Sequence, residues 1–241
     1  MKPDKVSQID AVFADMSAPQ HPGGALLVID HDEIVYQRGY GLADLETQQP
    51  ITSDTSFYLA SLSKQFTAMA IMLLAEQQKL SYDDHLVTYF PQFPPWAADI
   101  TLRHLLYHTS GLPEYFSLFT AHSDGTPVRE FTRDITSISN NTVLHRVIRE
   151  AAPVFPAGER YAYCNTGYIL LALVVQAVSG EPFSAFLKSH IFDPLGMAHT
   201  LVYNAARPAI HKLAQGYIRE EDRFERWYYP LLTMGDGGLF F

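Results

Sequence analysis

The spacing of apolar residues changes character near residue 60. Two apolar runs, 24–29 and 34–40, lie on either side of a short polar stretch and predict a β-hairpin. Before them, apolar residues at helical spacing over 6–16 predict an amphipathic helix. From residue 61 onward the period is helical, without a comparably clear strand. It predicts helices over the ranges 61–78, 101–107, 140–151, 165–179 and 182–192.

Two segments do not fit a regular element. Residues 117–139 are polar, rich in Ser and Thr and aperiodic, and are interpreted as a long excursion that could act as a lid over a site. Residues 234–241 form a glycine-rich turn that leads into an apolar stretch at the chain end. A two-stranded hairpin is not stable alone, and the chain ends as a new apolar element begins. Together these features predict an incomplete domain.

The composition excludes several classes of function. Of 241 residues, 47% are hydrophobic and 18% are charged, as in ordinary globular proteins. The net charge of −9 disfavours binding to nucleic acid or to an anionic membrane. The single cysteine, Cys164, cannot form an internal disulfide and is interpreted as a small buried apolar residue.

The N-terminus lacks the apolar core of a secretory signal, and no apolar run approaches the ~20 residues that span a bilayer. We therefore expect a cytoplasmic protein without a membrane span.

A Ser-x-x-Lys motif, Ser61 to Lys64, lies at the start of the apolar helix predicted over 61–78. One helical turn places the lysine amine on the same face as the serine hydroxyl. The first turn also offers backbone N–H groups at the positive end of the helix, where an oxyanion could be stabilised. This arrangement supplies a serine nucleophile beside an amine, but the motif alone does not decide between this function and a structural role. The alternative is structural: Ser61 would cap the helix and Lys64 would extend its amine to water.

A second constellation, Tyr163 and Asn165, lies at the start of the apolar helix predicted over 165–179. A phenol and a carboxamide two residues apart can face the same cavity. The structural alternative is a helix cap by Asn165 beside a half-buried tyrosine. Taken alone, these residues favour the structural alternative.

Three further groups are interpreted as structural. His104 and His108 have the i, i+4 spacing of a helical zinc site. The general-base glutamate of such sites and a third ligand are missing, so a metal site is rejected. Adjacent Asp83 and Asp84 are interpreted as a solvated turn. The glycine turn 235–238 lacks the strand and the lysine of a phosphate-binding loop.

Taken together, Ser61-x-x-Lys64 and Tyr163-x-Asn165 resemble the motifs of the serine β-lactamase and penicillin-binding-protein superfamily, in its class C-like branch. That branch includes esterases and D-stereospecific peptidases. Other segments resemble the same family in the expected order, so that the resemblance runs from about residue 8 to the end of the chain. These segments are 101–106, 108–113, 155–159, 165–168 and 192–197.

The resemblance implies an α+β fold of the β-lactamase/transpeptidase type, in which an antiparallel sheet is flanked by helices and joined to a helical lobe. It implies a single domain over 1–241. Residues 1–60 and the chain end would belong to the sheet part, and about 61–220 would be mostly helical lobe. The family also carries a third motif, Lys-Thr-Gly or His-x-Gly, on a strand near its C-terminus that supplies one oxyanion N–H. The chain stops before this motif, so we expect a domain truncated at its C-terminus, with the C-terminal strands missing.

The resemblance further implies the roles of four residues. Ser61 would be the acylated nucleophile, Lys64 and Tyr163 would share the proton transfer, and Asn165 would hold the amide on the acyl side of the substrate. Neither a metal nor a cofactor is implied. Burial lowers the pKa of a lysine in general and a nearby cation lowers that of a tyrosine, so which residue takes the proton from Ser61 stays open.

The expected function is hydrolysis of an amide or ester through an acyl-Ser61 intermediate. The partner would be a small molecule or short peptide: a β-lactam, a D-peptide or a small ester. The missing secretion signal favours an esterase or a peptidase. The alternatives are an acylation-only penicillin-binding sensor, an inactive pseudoenzyme and a fragment. The oligomeric state is left open.

Overall fold

The structure is a computed structural model in which the chain forms two compact units. Unit 1 comprises Met1–Tyr58 and Ala209–Tyr229, and unit 2 comprises Leu59–Pro208 and Pro230–Phe241. The described residues are 3–119, 138–203, 210–221, 223–227 and 232–241.

Residues 209–229 belong to unit 1 and residues 230–241 belong to unit 2. The division into a sheet part, with residues 1–60 and the chain end, and a mostly helical lobe over about 61–220 stays a prediction. That the chain is one truncated domain stays a prediction. Apart from its first three and last two residues, the predicted excursion over 117–139 lies outside the described residues.

The described residues contain eight α-helices and eight β-strands. The helices are α1 Pro3–Val12, α2 Lys64–Glu76, α3 Leu86–Tyr89, α4 Leu102–Leu106, α5 Tyr115–Phe119, α6 Asn140–Glu150, α7 Asn165–Ser179 and α8 Phe183–Leu187. The strands are β1 Gly24–Asp30, β2 Glu33–Tyr40, β3 Leu42–Asp44, β4 Gln49–Pro50, β5 Leu201–Val202, β6 Gly216–Glu220, β7 Arg223–Trp227 and β8 Leu239–Phe240. The strands pair antiparallel as β1–β2, β3–β4, β5–β8 and β6–β7. The fold is therefore α+β, as expected.

The predicted N-terminal helix and hairpin are both present in unit 1. Helix α1 is attached to β2 through Asp10. The Asp10 carboxylate accepts hydrogen bonds from the phenols of Tyr36 at 2.6 Å and Tyr40 at 2.8 Å. The same carboxylate pairs with Arg38 at 2.6 Å. These partners, the Tyr36 phenol foremost, hold the pKa of the Asp10 carboxyl below its ordinary value.

A second hairpin of unit 1, β6–β7, was not predicted. Its register runs from Gly216 opposite Trp227 to Glu220 opposite Arg223. In each strand one of the five residues is partly buried and the others are exposed. A strand shows an alternating pattern only when one face is buried, so this hairpin leaves no such pattern in the sequence.

Helix α7 is the core of unit 2. It is apolar on nearly every side, and all its residues from Thr166 to Val175 are buried, as expected for a helix surrounded by packing partners. Helices α2, α4, α6 and α8 pack against it. Among the described residues no single helix is long and apolar enough to cross a membrane; one bent pair, Asn165–Ser179 with Phe183–Phe192, meets that requirement jointly by length and composition.

The five helices predicted from residue 61 onward are confirmed, with differences at their ends. The helix predicted over 61–78 begins as a 3-10 turn, Ala60–Ser63, which precedes α2. The helix predicted over 182–192 is α8 followed by a π-helical turn, Lys188–Phe192. The apolar stretch at the chain end forms β8, which pairs with β5 within unit 2.

Candidate active site

Ser61 lies on a sharp turn immediately before α2. The 3-10 turn Ala60–Ser63 is accompanied by a hydrogen bond from the Leu62 N–H to the Leu59 carbonyl at 3.0 Å. Ala60 has a φ of +44°, a left-handed conformation that costs a residue with a Cβ roughly 1–2 kcal/mol. Ser61 itself is exposed. Strained backbone of this kind tends to occur at functional sites.

The structure does not support Ser61 as a helix cap. Helix α2 begins at Lys64, so its N-cap residue is Ser63. The Ser63 Oγ forms no cap bond and accepts the Leu239 N–H at 3.3 Å. The expectation that Ser61 opens the α-helix is corrected: it precedes the helix by one 3-10 turn.

Lys64 is buried, with only 7% of its surface exposed, so the alternative in which its amine extends to water is wrong. Its Nζ lies 3.2 Å from Ser61 Oγ, 2.7 Å from Asn165 Oδ1 and 2.6 Å from the Asp236 carbonyl oxygen. The Nζ also lies 5.0 Å from the centre of the Tyr163 ring, within range of a cation–π interaction.

Tyr163 brings its phenol to the same serine hydroxyl. The phenol donates a hydrogen bond to Ser61 Oγ at 2.8 Å. The Tyr163 ring stacks on His108, with 4.5 Å between ring centres and an interplanar angle of 28°. His108 Nδ1 accepts the Cys164 N–H at 3.1 Å, which assigns the proton of a neutral ring to Nε2. Burial, and after it the positive charge of Lys64, lower the pKa of His108 and favour that neutral ring.

Asn165 is the first residue of α7 rather than its cap, because the N-cap position is Cys164. The Asn165 Oδ1 accepts the bond from Lys64, and its backbone N–H donates to Glu114 Oε2 at 2.6 Å. The four side chains named from the sequence therefore meet in one hydrogen-bonded group. They come from two segments about 100 residues apart in the chain.

Two carboxyl groups near Lys64, the buried Asp236 and the partly buried Glu114, were not singled out from the sequence. Asp236 is 5% exposed. Among the described residues, neither Asp236 Oδ1 nor Glu114 Oε1 has a hydrogen-bond partner. Burial raises the pKa of Glu114 above its ordinary value, and the bond from the Asn165 N–H and, more weakly, the charge of Lys64 oppose this rise. Burial raises the pKa of Asp236 to about 6, and the charge of Lys64 opposes that rise. Neither residue belongs to a recognisable motif, so no local signal identifies them.

The turn before β8 is held in place by polar contacts from two helices. Asn140 forms paired bonds with the backbone of Met234, at 2.7 and 2.8 Å. The Thr67 hydroxyl donates to the Gly235 carbonyl at 2.8 Å. Gly235 has a φ of +100°, and a Cβ there would lie 2.4 Å from a backbone oxygen of α7. These contacts place the Asp236 carbonyl against the lysine amine.

Asp236→Asn is expected to raise the thermal midpoint near pH 8 and to change it little near pH 4. The Asp236 carboxyl has a higher pKa in the folded chain, about 6, than its ordinary 3.8. Because the folded state holds this proton more tightly than the unfolded state does, it loses stability as the pH rises from about 4 to about 6. The loss is at most about 3 kcal/mol. Thermal unfolding across this pH range tests the expectation, with the exposed Asp99→Asn as control. An effect of equal size at both pH values would contradict it.

The other groups singled out from the sequence have structural roles. His104 Nδ1 accepts a backbone N–H at 3.2 Å within the capping box of α4. His108 follows the same helix with a φ of +57°. Cys164 is buried as predicted, and burial raises the pKa of its thiol to about 11. Asp83 is exposed and pairs with Arg103 at 2.8 Å.

Fold and site define an α+β protein in which a serine, a lysine and a tyrosine share one hydrogen-bonded group. The chain belongs to the β-lactamase family, whose model, described as Beta-lactamase, matches residues 9–240. The resemblance to serine β-lactamases and penicillin-binding proteins is thereby confirmed, and the fold is of the β-lactamase/transpeptidase type.

Three known proteins illustrate the relationship. Penicillin-binding protein 4* of Bacillus subtilis (strain 168) is 35% identical over 220 residues, which are 90% of this chain and 47% of the relative. Esterase EstB of Burkholderia gladioli is 33% identical over 205 residues, 79% of this chain and 50% of the relative. The structure of an octameric penicillin-binding protein homologue from Pyrococcus abyssi has a TM-score of 0.82 and 30% identity, over 100% of this chain and 53% of that chain. The chain thus spans about half the length of the relatives it matches.

Proposed function

We propose that this chain carries the acylation residues of a serine hydrolase, which cleaves an amide or an ester through a covalent acyl-Ser61 intermediate. One observation carries the proposal: Ser61 Oγ lies 2.8 Å from the Tyr163 phenol and 3.2 Å from Lys64 Nζ. A serine hydroxyl is a weak nucleophile until a neighbouring group takes its proton. Here two groups lie within the distance at which proton transfer is possible.

The contacts of Lys64 restrict which of its protons can be exchanged. The two oxygens that Asn165 and Asp236 present to Nζ only accept hydrogen bonds, so each occupies one N–H. The third position of the nitrogen faces Ser61. In the ammonium form this position donates to Ser61 Oγ, and in the amine form its lone pair accepts the Ser61 proton. Proton transfer to Lys64 therefore leaves its other two bonds intact.

Tyr163 lies on the exposed side of the same hydroxyl. Its side chain is 46% exposed, so a leaving amine or alcohol would meet it first. In the proposed reaction, Ser61 Oγ attacks the carbonyl carbon and its proton passes to Lys64 or Tyr163. A proton then passes to the leaving nitrogen or oxygen as the C–N or C–O bond breaks. Water later attacks the acyl-Ser61 carbonyl, which releases the acid and restores the hydroxyl.

The names of the relatives are consistent with this chemistry. One is a penicillin-binding protein and another is an esterase, and acyl transfer to a serine accounts for both names. We assign this chain to the class C-like branch, with a β-lactam, a D-peptide or a small ester as substrate. Asn165 Nδ2 would donate to the amide carbonyl on the acyl side of such a substrate.

The test is the intact mass of the chain after incubation with a fluorophosphonate and, separately, with benzylpenicillin. One adduct per chain is expected, absent in Ser61→Ala and present in Ser53→Ala, an exposed serine outside the site. A folded chain that forms no adduct with either reagent, or an adduct that persists in Ser61→Ala, would overturn the proposal. Decay of the benzylpenicillin adduct marks hydrolysis, whereas its persistence marks an acylation-only binding protein.

A further inference from the structure

We infer that Glu114 is a positioning residue of this site: its carboxylate caps the N-terminus of α7 from outside the helix and thereby holds Asn165 against Lys64. The inference rests on the proposed function, because it assigns Glu114 to the same reaction. Glu114 acts through Asn165 and not on the reacting atoms.

Helix α7 has no cap of its own. Its N-cap residue, Cys164, forms no side-chain cap bond, and the thiol donates instead to the Leu112 carbonyl at 3.4 Å. The start of any helix leaves backbone N–H groups without intrahelical partners. Glu114 Oε2 accepts one of them, the Asn165 N–H, at 2.6 Å. A carboxylate in this position forms a charge-assisted bond at the positive end of the helix dipole.

One short segment, residues 108–114, holds the start of α7 at three successive positions. The contacts are the Cys164 N–H to His108 Nδ1 at 3.1 Å, the Asn165 N–H to Glu114 Oε2 at 2.6 Å, and the Thr166 hydroxyl to the Pro113 carbonyl at 2.7 Å. Of the three acceptors, the Glu114 carboxylate is the one that brings a negative charge. The segment therefore fixes where α7 begins, and Glu114 adds the charge-assisted bond.

The position of Glu114 costs free energy, because a charged carboxylate is partly buried there. A helix cap does not by itself need a charged group. Burial raises the pKa of its carboxyl, and Glu114 Oε1 has no hydrogen-bond partner among the described residues. A neutral Ser or Asn at the N-cap position would accept a free backbone N–H of the first turn without burying a charge. Among the influences that oppose this rise in the Glu114 pKa, the bond from the Asn165 N–H is the largest and the charge of Lys64 is smaller. The contact that caps α7 therefore also favours the charged carboxylate.

A displaced start of α7 would lengthen the contact between Asn165 and Lys64, because Asn165 Oδ1 lies only 2.7 Å from Lys64 Nζ. A misplacement of ~1 Å can cost ~10²-fold in rate. Loss of the Glu114 carboxylate is therefore expected to slow acylation, although this residue touches neither reagent nor nucleophile.

The test compares Glu114→Ala and Glu114→Gln with Glu159→Ala, an exposed glutamate, in the full chain. The rate of Ser61 acylation by the fluorophosphonate is expected to fall about 10- to 100-fold in Glu114→Ala. It should stay within about tenfold of wild type in Glu114→Gln, whose amide oxygen still accepts the Asn165 N–H. Equal losses in the two variants would overturn the cap as the cause. Should Glu114→Ala not fold, Glu114→Asp replaces it, because it keeps the charge and withdraws it by one methylene.

A double-mutant cycle with Asn165→Ala distinguishes positioning from general destabilisation. If Glu114 acts through the Asn165 carboxamide, Glu114→Ala should have little further effect once that carboxamide is removed. The double variant is therefore expected to react within about threefold of Asn165→Ala. Losses that multiply would overturn the inference.

Hydrogen exchange at the Asn165 amide tests the cap without depending on acylation, so failure of the inference can be told apart from failure of the proposed function. Exchange is expected to accelerate in Glu114→Ala and not in Glu114→Gln or Glu159→Ala, because only alanine leaves this N–H without an acceptor. If wild type is not acylated but this acceleration occurs, the proposed function fails and the cap stands. An unchanged exchange rate in Glu114→Ala overturns the cap in either case. Unchanged acylation in Glu114→Ala overturns the positioning role and leaves the proposed function intact.

Discussion

Lys64→Met is expected to lower the rate of Ser61 acylation by about 10³–10⁴-fold, toward the upper end of what a general acid or base contributes. The effect is large because Lys64 does more than exchange a proton with Ser61. Its amine also donates to Asn165 Oδ1 and to the Asp236 carbonyl. Methionine has a similar length but no donor, so both oxygens would lose a hydrogen bond in a buried environment.

The same substitution removes a cation whose charge acts on the buried Asp236 carboxyl and on the partly buried Glu114 carboxyl. The charge of Lys64 opposes the rise in pKa of both Glu114 and Asp236, so both carboxyls should take up protons more readily in Lys64→Met. This proton uptake should limit how much stability the Lys64→Met chain loses. Unfolding curves should be measured together with the acylation rates, so that a slow reaction can be told apart from unfolding.

Single-turnover rates with the fluorophosphonate, measured well below the thermal midpoint, test this expectation. Lys79→Met, at an exposed lysine beyond the end of α2, is the matched control and should react like wild type. A folded Lys64→Met chain that reacts within about tenfold of wild type would remove Lys64 from the proton transfer.

Tyr163→Phe is expected to lower the acylation rate by about 10²-fold, and more for an amide than for an ester with a good leaving group. The substitution removes the 2.8 Å bond to Ser61 Oγ. It leaves the ring, and with it the stack on His108, so the geometry of the site should persist. The difference between substrates follows from the chemistry, because a poor leaving group needs a proton and a good one does not.

The matched control for the phenol is Tyr161→Phe. Tyr161 is 66% exposed, and its ring meets His108 edge-on at 5.9 Å. Rates with an activated ester and with the corresponding anilide should be unchanged in this variant. If Tyr163→Phe slowed both substrates equally, Tyr163 would not be the group that protonates the leaving atom. If it slowed neither, Lys64 alone would exchange the proton.

Local pattern accounts for the parts of the molecule that the sequence predicted. Helix α7 was predicted at its observed bounds, because an apolar segment of 15 residues is longer than a usual buried strand and is typical of a buried helix. The β1–β2 hairpin was predicted because apolar runs flank a polar turn. Ser61 and Lys64 were paired because three residues along a helical backbone bring two side chains together. In each case the interacting residues are close in the chain.

Only the tertiary structure decided the remaining contacts of Lys64. Its partners Asn165 and Asp236 lie 101 and 172 residues away in the sequence. Tyr163 and Asn165, considered by themselves, favour an ordinary helix cap. The family resemblance assigns them to the site, and the structure shows their contacts with Ser61 and Lys64. Periodicity and propensity describe neighbours along the chain, and they carry no information about which distant carbonyl or carboxyl a buried amine will meet.

The sequence by itself therefore determined the first hairpin, the spacing of Ser61 and Lys64, and five helices of unit 2, namely α2, α4, α6, α7 and α8. The tertiary structure decided the position of Glu114, the pKa of Asp236 and the pairing of β6 with β7. The physical reason is the same for all three. Burial of a polar group and pairing of an exposed strand depend on the path of the whole backbone, whereas helix and hairpin formation depend on side chains a few residues apart.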